Sequence, residues 1–154
     1  IAHDPYLIDG DFPAYVERVS LEGLFEQADA VSIHCLLNPE TRGLVGESLL
    51  RRMKPGSYLV NTARGAVIDL DGLTRVVQDG RLAGVGLDVL PVEPVPPDHP
   101  LLSDRRVVFT PHSAFYSAES EIELRRKAAQ NIVTWLRTGR PDYPVVIGQR
   151  KPPA

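Results

Sequence analysis

Ser57-Tyr58-Leu59-Val60-Asn61-Thr62-Ala63-Arg64-Gly65 changes character half-way along. Its first residues are apolar or β-favouring and read as a strand. The small residues that follow read as a turn presenting one arginine, and Val67-Ile68-Asp69 leads into a helical pattern. Strand, turn and helix in this order form the unit of an open α/β sheet, whose ligands bind in the crevice at the carboxyl ends of the strands. An arginine at such a strand end can grip a carboxylate with two parallel hydrogen bonds. It can equally stand in solvent or cap a helix, and position alone does not choose.

The same alternation extends in both directions. Upstream, Ile1 to His3 reads as the tail of a strand ended by Asp4-Pro5. Ser20 can cap a short helix with Leu21, Leu24, Phe25 and Ala28 on one face. Ala30 to His34 reads as a strand, Cys35 to Thr41 as a loop, and Gly46 to Met53 as a helix stopped by Lys54-Pro55-Gly56. Downstream, Asp69 caps a helix through Leu73, Val76 and Val77, and Gly80 ends it. Leu82 to Val89 and Val107 to Thr110 read as strands, joined by a proline-rich connection from Leu90 to Arg106. Ser117 caps a long helix with Ala118, Ile122, Arg125, Ala129, Ile132 and Leu136 on one side, ended by Gly139. Short single strands separated by helices predict right-handed crossovers and an α/β fold with a doubly wound, parallel, Rossmann-type sheet.

Composition narrows the partners. A chain of 154 residues, 43% hydrophobic and 24% charged, is an ordinary globular protein. A net charge of −3 gives no reason to expect nucleic acid or an anionic membrane. No apolar run approaches the ~20 residues of a membrane span. Cys35 is the only cysteine, which excludes an intrachain disulfide and fits a reducing, cytoplasmic setting. No metal is expected, since His34 and Cys35 are adjacent with no second pair at ligand spacing.

Several polar residues fall at strand ends. Asp4 could accept hydrogen bonds from the hydroxyls of an adenosine ribose and repel the extra phosphate of NADP, or Asp-Pro could be a plain turn. Glu93 and His112 each follow a strand, so both can reach one crevice. A histidine held and charged by a carboxylate is a general acid near neutral pH. Taken singly, Glu93 reads as a solvated loop acid and His112 as a helix-entry residue. Taken together with Arg64 they fit reduction of a 2-keto acid: a cation for the carboxylate, an acid for the carbonyl oxygen, and hydride from a nicotinamide, which no side chain can supply. His34 is expected to pack against the sheet and His99 to be solvated. Gly84-Val85-Gly86 is no dinucleotide fingerprint, because it lies within a strand and lacks a third glycine.

At these residues the chain resembles the D-isomer-specific 2-hydroxyacid dehydrogenases. Val60-Asn61-Thr62-Ala63-Arg64-Gly65, Leu82 to Val89, Glu93-Pro94 and Thr110-Pro111-His112 carry the likeness in matching order, over roughly residues 1 to 140. The resemblance implies that Arg64 binds substrate carboxylate and carbonyl, that His112 is the acid/base, and that Glu93 pairs with it. It implies that Asp4 holds the adenosine ribose of NAD, and that Cys35, Leu36, Asn38, Thr41, Thr62, Ala63, Asp88, His112 and Ala114 line the cofactor site, with Asp88 meeting the carboxamide. It also implies a homodimer and a small 2-keto or 2-hydroxy acid as substrate. Within the family, Asp4-Pro5-Tyr6-Leu7, Ile33 to Asn38 and His112 to Ser117 look most like the branch of the carboxyl-terminal-binding co-repressors. Phe115, beside the expected substrate pocket of Arg64 and His112, departs from the tryptophan of that branch. An NAD-sensing scaffold that dimerises on cofactor binding is therefore a second reading, although the intact Arg64–Glu93–His112 set favours an enzyme.

Such domains run in the strand order 3-2-1-4-5-6, with the first strand central. This sequence supplies the second strand onward, and the first strand and glycine loop are expected upstream of Ile1. Unpaired strand edges are costly when buried. The expectation is thus a partial NAD-binding domain over 1–115 that does not fold or turn over alone. A long helix at 116–140 leads toward a substrate domain, and a tail follows at 141–154.

Overall fold

The computed structural model describes residues 1–144, apart from the side chain of Asp9. Most of the tail expected at 141–154 lies outside the described residues. Four strands, β1 (Ala30–Ile33), β2 (Ser57–Asn61), β3 (Leu82–Leu87) and β4 (Val107–Phe109), form one sheet in the order β1-β2-β3-β4. All neighbours are parallel, with Ile33 beside Asn61, Asn61 beside Leu87 and Leu87 beside Phe109. All the carboxyl ends therefore open on the same side. This is the Rossmann-like α/β arrangement expected from the alternating pattern.

Helices α1 (Leu21–Gln27), α2 (Glu47–Leu50) and α3 (Leu70–Gln78) precede, join or follow these strands. Ser20 caps α1 by accepting the Gly23 N–H at 3.0 Å. Leu73, Val76 and Val77 of α3 are fully buried in the core with Leu50, Met53, Leu59 and Leu82. Each such burial contributes about 1.5–3 kcal/mol. The core lies on one face of the sheet, under Val31, Ile33, Leu59, Val85 and Leu87. Tyr58, Val60 and Val108 point to the opposite face and stay exposed.

Several features differ from expectation. Ile1 to His3 is not a strand of the sheet: Ala2 makes one isolated parallel bridge to Arg18. Nothing in Glu17-Arg18-Val19 shows strand periodicity, so the bridge was invisible beforehand. The helix expected at Gly46 to Met53 holds only over Glu47–Leu50. Its end tightens to three-residue spacing, with Arg52 N–H on Leu49 O and Met53 N–H on Leu50 O, before Pro55 and the left-handed Gly56. His34 is exposed, with Nε2 2.8 Å from Ser32 Oγ, while His99 is half-buried and its Nδ1 accepts from Leu101 N–H. The Leu90–Arg106 connection gains structure of its own, a 3-10 turn at Pro100–Ser103 that anchors Leu101 in the core.

The chain divides into two compact units, residues 1–114 and 115–154. The second is organised on α4 (Ala118–Thr138), capped by Ser117 and closed by Gly139 in the left-handed region. Asn131 exchanges two hydrogen bonds with the Tyr143 backbone, and Asp142 accepts from Gln130 and Thr134. No residue of α4 is buried. Among the described residues, no helix is long and apolar enough to cross a membrane.

Candidate active site

Arg64 follows β2, and Asn61, the last residue of that strand, fixes how it leaves. The Asn61 side chain is fully buried; its Oδ1 accepts the Ala63 N–H and its Nδ2 donates to the Arg64 carbonyl, both at 3.0 Å. Gly65 then lies against the backbone of the next loop. A Cβ at position 65 would stand 2.0 Å from the Leu90 carbonyl carbon and 2.4 Å from the Pro91 nitrogen. Only glycine allows that approach, and the approach brings the Arg64 turn beside the loop that carries Glu93. Arg64 is exposed; its Nη1 donates to the Ala63 carbonyl at 2.6 Å. The remaining guanidinium N–H groups are left for an anion.

Glu93 follows β3. Its Oε1 accepts the Leu90 N–H at 2.9 Å, and its Oε2 lies 3.2 Å from His112 Nδ1. The Leu90 N–H and the His112 ring hold its carboxyl below the ordinary range, so it is ionised and acts only as an acceptor. Nδ1 of His112 therefore carries the proton, and Nε2 is the nitrogen left for chemistry. His112 follows β4 with φ of 54°, a left-handed backbone that costs a non-glycine residue about 1 kcal/mol. Its own N–H donates to Asp88 O and Thr110 O. Arg64, Glu93 and His112 line one open pocket of about 230 Å³ with Leu37, Gly65, Val89, Leu90 and Pro91.

Asp88, just beyond β3, is buried and holds the turn that bears the histidine. Its Oδ1 accepts from Thr110 Oγ1 at 2.5 Å and from Ser113 N–H at 2.8 Å, and its Oδ2 accepts from Ala114 N–H at 3.0 Å. Burial pushes its pKa up, but those three donors and the nearby His112 outweigh it, so the carboxyl sits below its ordinary value. Of the residues expected along a cofactor, Asp88 and Ala114 are thus engaged with each other.

The remaining residues expected along a cofactor are Asp4 and those that follow the carboxyl ends of β1 and β2. The Cys35–Thr41 loop is internally braced. Asn38 Oδ1 accepts from the N–H groups of Glu40 and Thr41, and Thr41 Oγ1 donates to Leu36 O at 2.6 Å. Cys35 is half-buried, which pushes its thiol pKa up, while Leu36 is 81% exposed. Thr62 is exposed and Ala63 half-buried. Asp4 is half-buried and uses Oδ1 to accept the Tyr6 N–H at 2.8 Å, which leaves Oδ2 as an acceptor. A carboxylate acceptor beside an exposed apolar loop fits the ribose and base of an adenosine. No glycine-rich phosphate cradle is among these residues. Phe115 opens the second unit, exposed and edge-on to Tyr116.

The sequence signalled Arg64, Glu93 and His112 but not what joins them. Gly65 is visible only as part of a turn, and the buried Asn61 and the exposed Thr110 only as parts of motifs.

Residues 1–114 match the family described as D-isomer specific 2-hydroxyacid dehydrogenase, NAD binding domain. The glyoxylate reductase of Korarchaeum cryptofilum is 45% identical over 122 residues, which are 79% of this chain and 37% of the reductase. The chain therefore spans little more than a third of that relative's length. Among solved structures, the NAD-complexed D-isomer specific 2-hydroxyacid dehydrogenase of Lactobacillus delbrueckii ssp. bulgaricus superposes with a TM-score of 0.80 at 30% identity, covering 94% of this chain and 48% of that one. The NADPH-dependent glyoxylate/hydroxypyruvate reductase of Sinorhizobium meliloti gives 0.84 at 28% identity, covering 94% and 44%. These likenesses point to reductases and correct the expected affinity with the co-repressor branch. The segments that suggested that branch are short, whereas the match to the reductase runs over 122 residues. This chain belongs to the D-isomer-specific 2-hydroxyacid dehydrogenase family, whose NAD-binding domain residues 1–114 match.

Proposed function

We propose that the protein is an NAD-dependent oxidoreductase that interconverts small 2-keto acids and D-2-hydroxy acids, with glyoxylate as the first substrate to test. The observation that carries this reading is the convergence of Arg64 with the His112–Glu93 pair in one pocket. Arg64 pairs with the substrate carboxylate and fixes which face of the carbonyl is presented. Nε2 of charged His112 donates its proton to the carbonyl oxygen as that oxygen becomes a hydroxyl. Glu93 holds Nδ1–H, orients the ring and stabilises the imidazolium. The nicotinamide, when bound, supplies the hydride. Asp4, the loop from Cys35 to Thr41, Thr62 and Ala63 are the residues of this chain that would hold the dinucleotide. A cytoplasmic homodimer is the proposed setting.

The test follows NADH absorbance with glyoxylate, pyruvate and bulkier 2-keto acids, using the protein as encoded in full. His112→Gln should lower kcat by at least about 100-fold, the usual worth of a general acid, while NADH affinity stays nearly unchanged. NADH binding without turnover of any of these acids would overturn the enzyme reading. Equal loss of turnover and NADH affinity in the variant would make His112 structural.

A further inference from the structure

Two loops that leave different parts of the chain are tied together at the ribose end of the site. Asp4 folds its own loop back by accepting the Tyr6 N–H at 2.8 Å. The Tyr6 hydroxyl then reaches across and donates to Glu40 Oε2 at 2.9 Å. Glu40 itself sits on a turn fixed by Asn38, whose Oδ1 accepts the Glu40 N–H at 2.9 Å. The tyrosine thus places a second carboxylate near the one already assigned to the ribose. The phenol stays protonated and donating, because its hydrogen bond to Glu40 and the charges of Glu40 and Asp4 all raise its pKa.

We propose that Glu40, moored by Tyr6, is a specificity-determining residue that acts with Asp4 to select NAD(H) over NADP(H). The two dinucleotides differ by a phosphate on the adenosine ribose, which brings close to two negative charges at neutral pH. A single carboxylate can accept from a ribose hydroxyl and still be bypassed by a phosphate that tilts away from it. A second carboxylate, on another loop and held in place by a hydrogen bond, opposes that escape. The relatives make the choice a real one, since one of the matching reductases is NADPH-dependent and another matching dehydrogenase is complexed with NAD. The inference rests on the reading that Asp4 faces the adenosine ribose.

The experiment measures dissociation constants for NADH and NADPH by fluorescence titration in the full protein and in Glu40→Gln, Tyr6→Phe and Asp4→Asn. Glu40→Gln should tighten NADPH roughly fivefold relative to NADH, about the influence of one unit charge a few ångströms away through water. The gain should shrink when salt is raised, because exposed charges are screened. Tyr6→Phe frees the carboxylate to swing and should give part of the same gain. An unchanged NADPH-to-NADH ratio of dissociation constants in Glu40→Gln, with a lowered ratio in Asp4→Asn, overturns the role of Glu40 and leaves the ribose reading intact. An unchanged ratio in both variants overturns the ribose reading as well.

Discussion

Arg64, Glu93 and His112 stand on loops that leave β2, β3 and β4, three adjacent strands of one sheet. Asp4, by contrast, follows a single backbone bridge between Ala2 and Arg18. The first region inherits its geometry from a parallel ladder and a buried core. The second has one pair of backbone hydrogen bonds, Ala2 N–H to Glu17 O and Val19 N–H to Ala2 O, and a histidine contact from His3 to Val19 O. Under the proposed function the difference separates two duties. Proton transfer needs positions held within fractions of an ångström. Holding a ribose hydroxyl tolerates more movement, and its specificity comes from charge.

The comparison can be broken most directly at Gly65. Gly65→Ala forces a Cβ into the Leu90–Pro91 backbone, so the turn and the loop must separate. The expected cost is about 3 kcal/mol in urea denaturation, the upper end for overpacking, with loss of most turnover because Arg64 and Glu93 part. Wild-type stability in this variant would show that the loops do not need the contact. Hydrogen exchange sharpens the contrast between the two regions. The amides of Ala2 and Val19 should exchange faster than those of Leu59 and Val85 by on the order of a hundredfold, as expected of locally opening structure against a core. Equal protection would place both regions in one cooperative unit.

The smallest effect concerns Asp88. Asp88→Asn keeps one acceptor oxygen but sets an amide against a backbone N–H, at a cost of about 2 kcal/mol for donors left without their anion. The pH dependence follows from the depressed carboxyl. Its stabilising contribution is complete above the ordinary value of 3.8 and is lost as pH falls through the lower folded-state value. The stabilities of wild type and variant should therefore converge in acid and differ most near neutrality. A constant difference across pH would remove charge from the explanation.

The elements that could be read from the sequence are those whose signals are local. β2 announces itself by a β-favouring run into a turn, and α3 by buried residues at helical spacing with Gly80 to end it. The Ala2–Arg18 bridge could not be read, because a single bridged residue has no period. Helix α2 is shorter than its pattern suggests, since Leu49, Leu50 and Met53 suit a helix or a tightened turn equally well. In the site, residue type and strand-end position nominated Arg64, Glu93 and His112, and the family resemblance raised them together. What brings them together is a contact between backbones 25 residues apart, Gly65 and Leu90, which no pattern of side chains encodes. The same holds for Asp88, whose partners Thr110, Ser113 and Ala114 lie on another strand's exit.

That backbone contact also constrains how the protein can diverge. The segment from Leu90 to Glu93 is pinned at one end by Gly65 and at the other by the bonds of Glu93 to Leu90 and His112. An insertion or deletion there would push one anchor off its mark, so its length is frozen. The stretch from Val95 to His99 is tied instead at its far end, where the His99 N–H donates to Pro96 O and its Nδ1 accepts from Leu101 N–H. Under the proposed function, changes in the size of the acid accepted are therefore to be sought in the identities of Leu37, Val89 and Leu90, which line the pocket, not in the number of residues between Leu90 and Glu93.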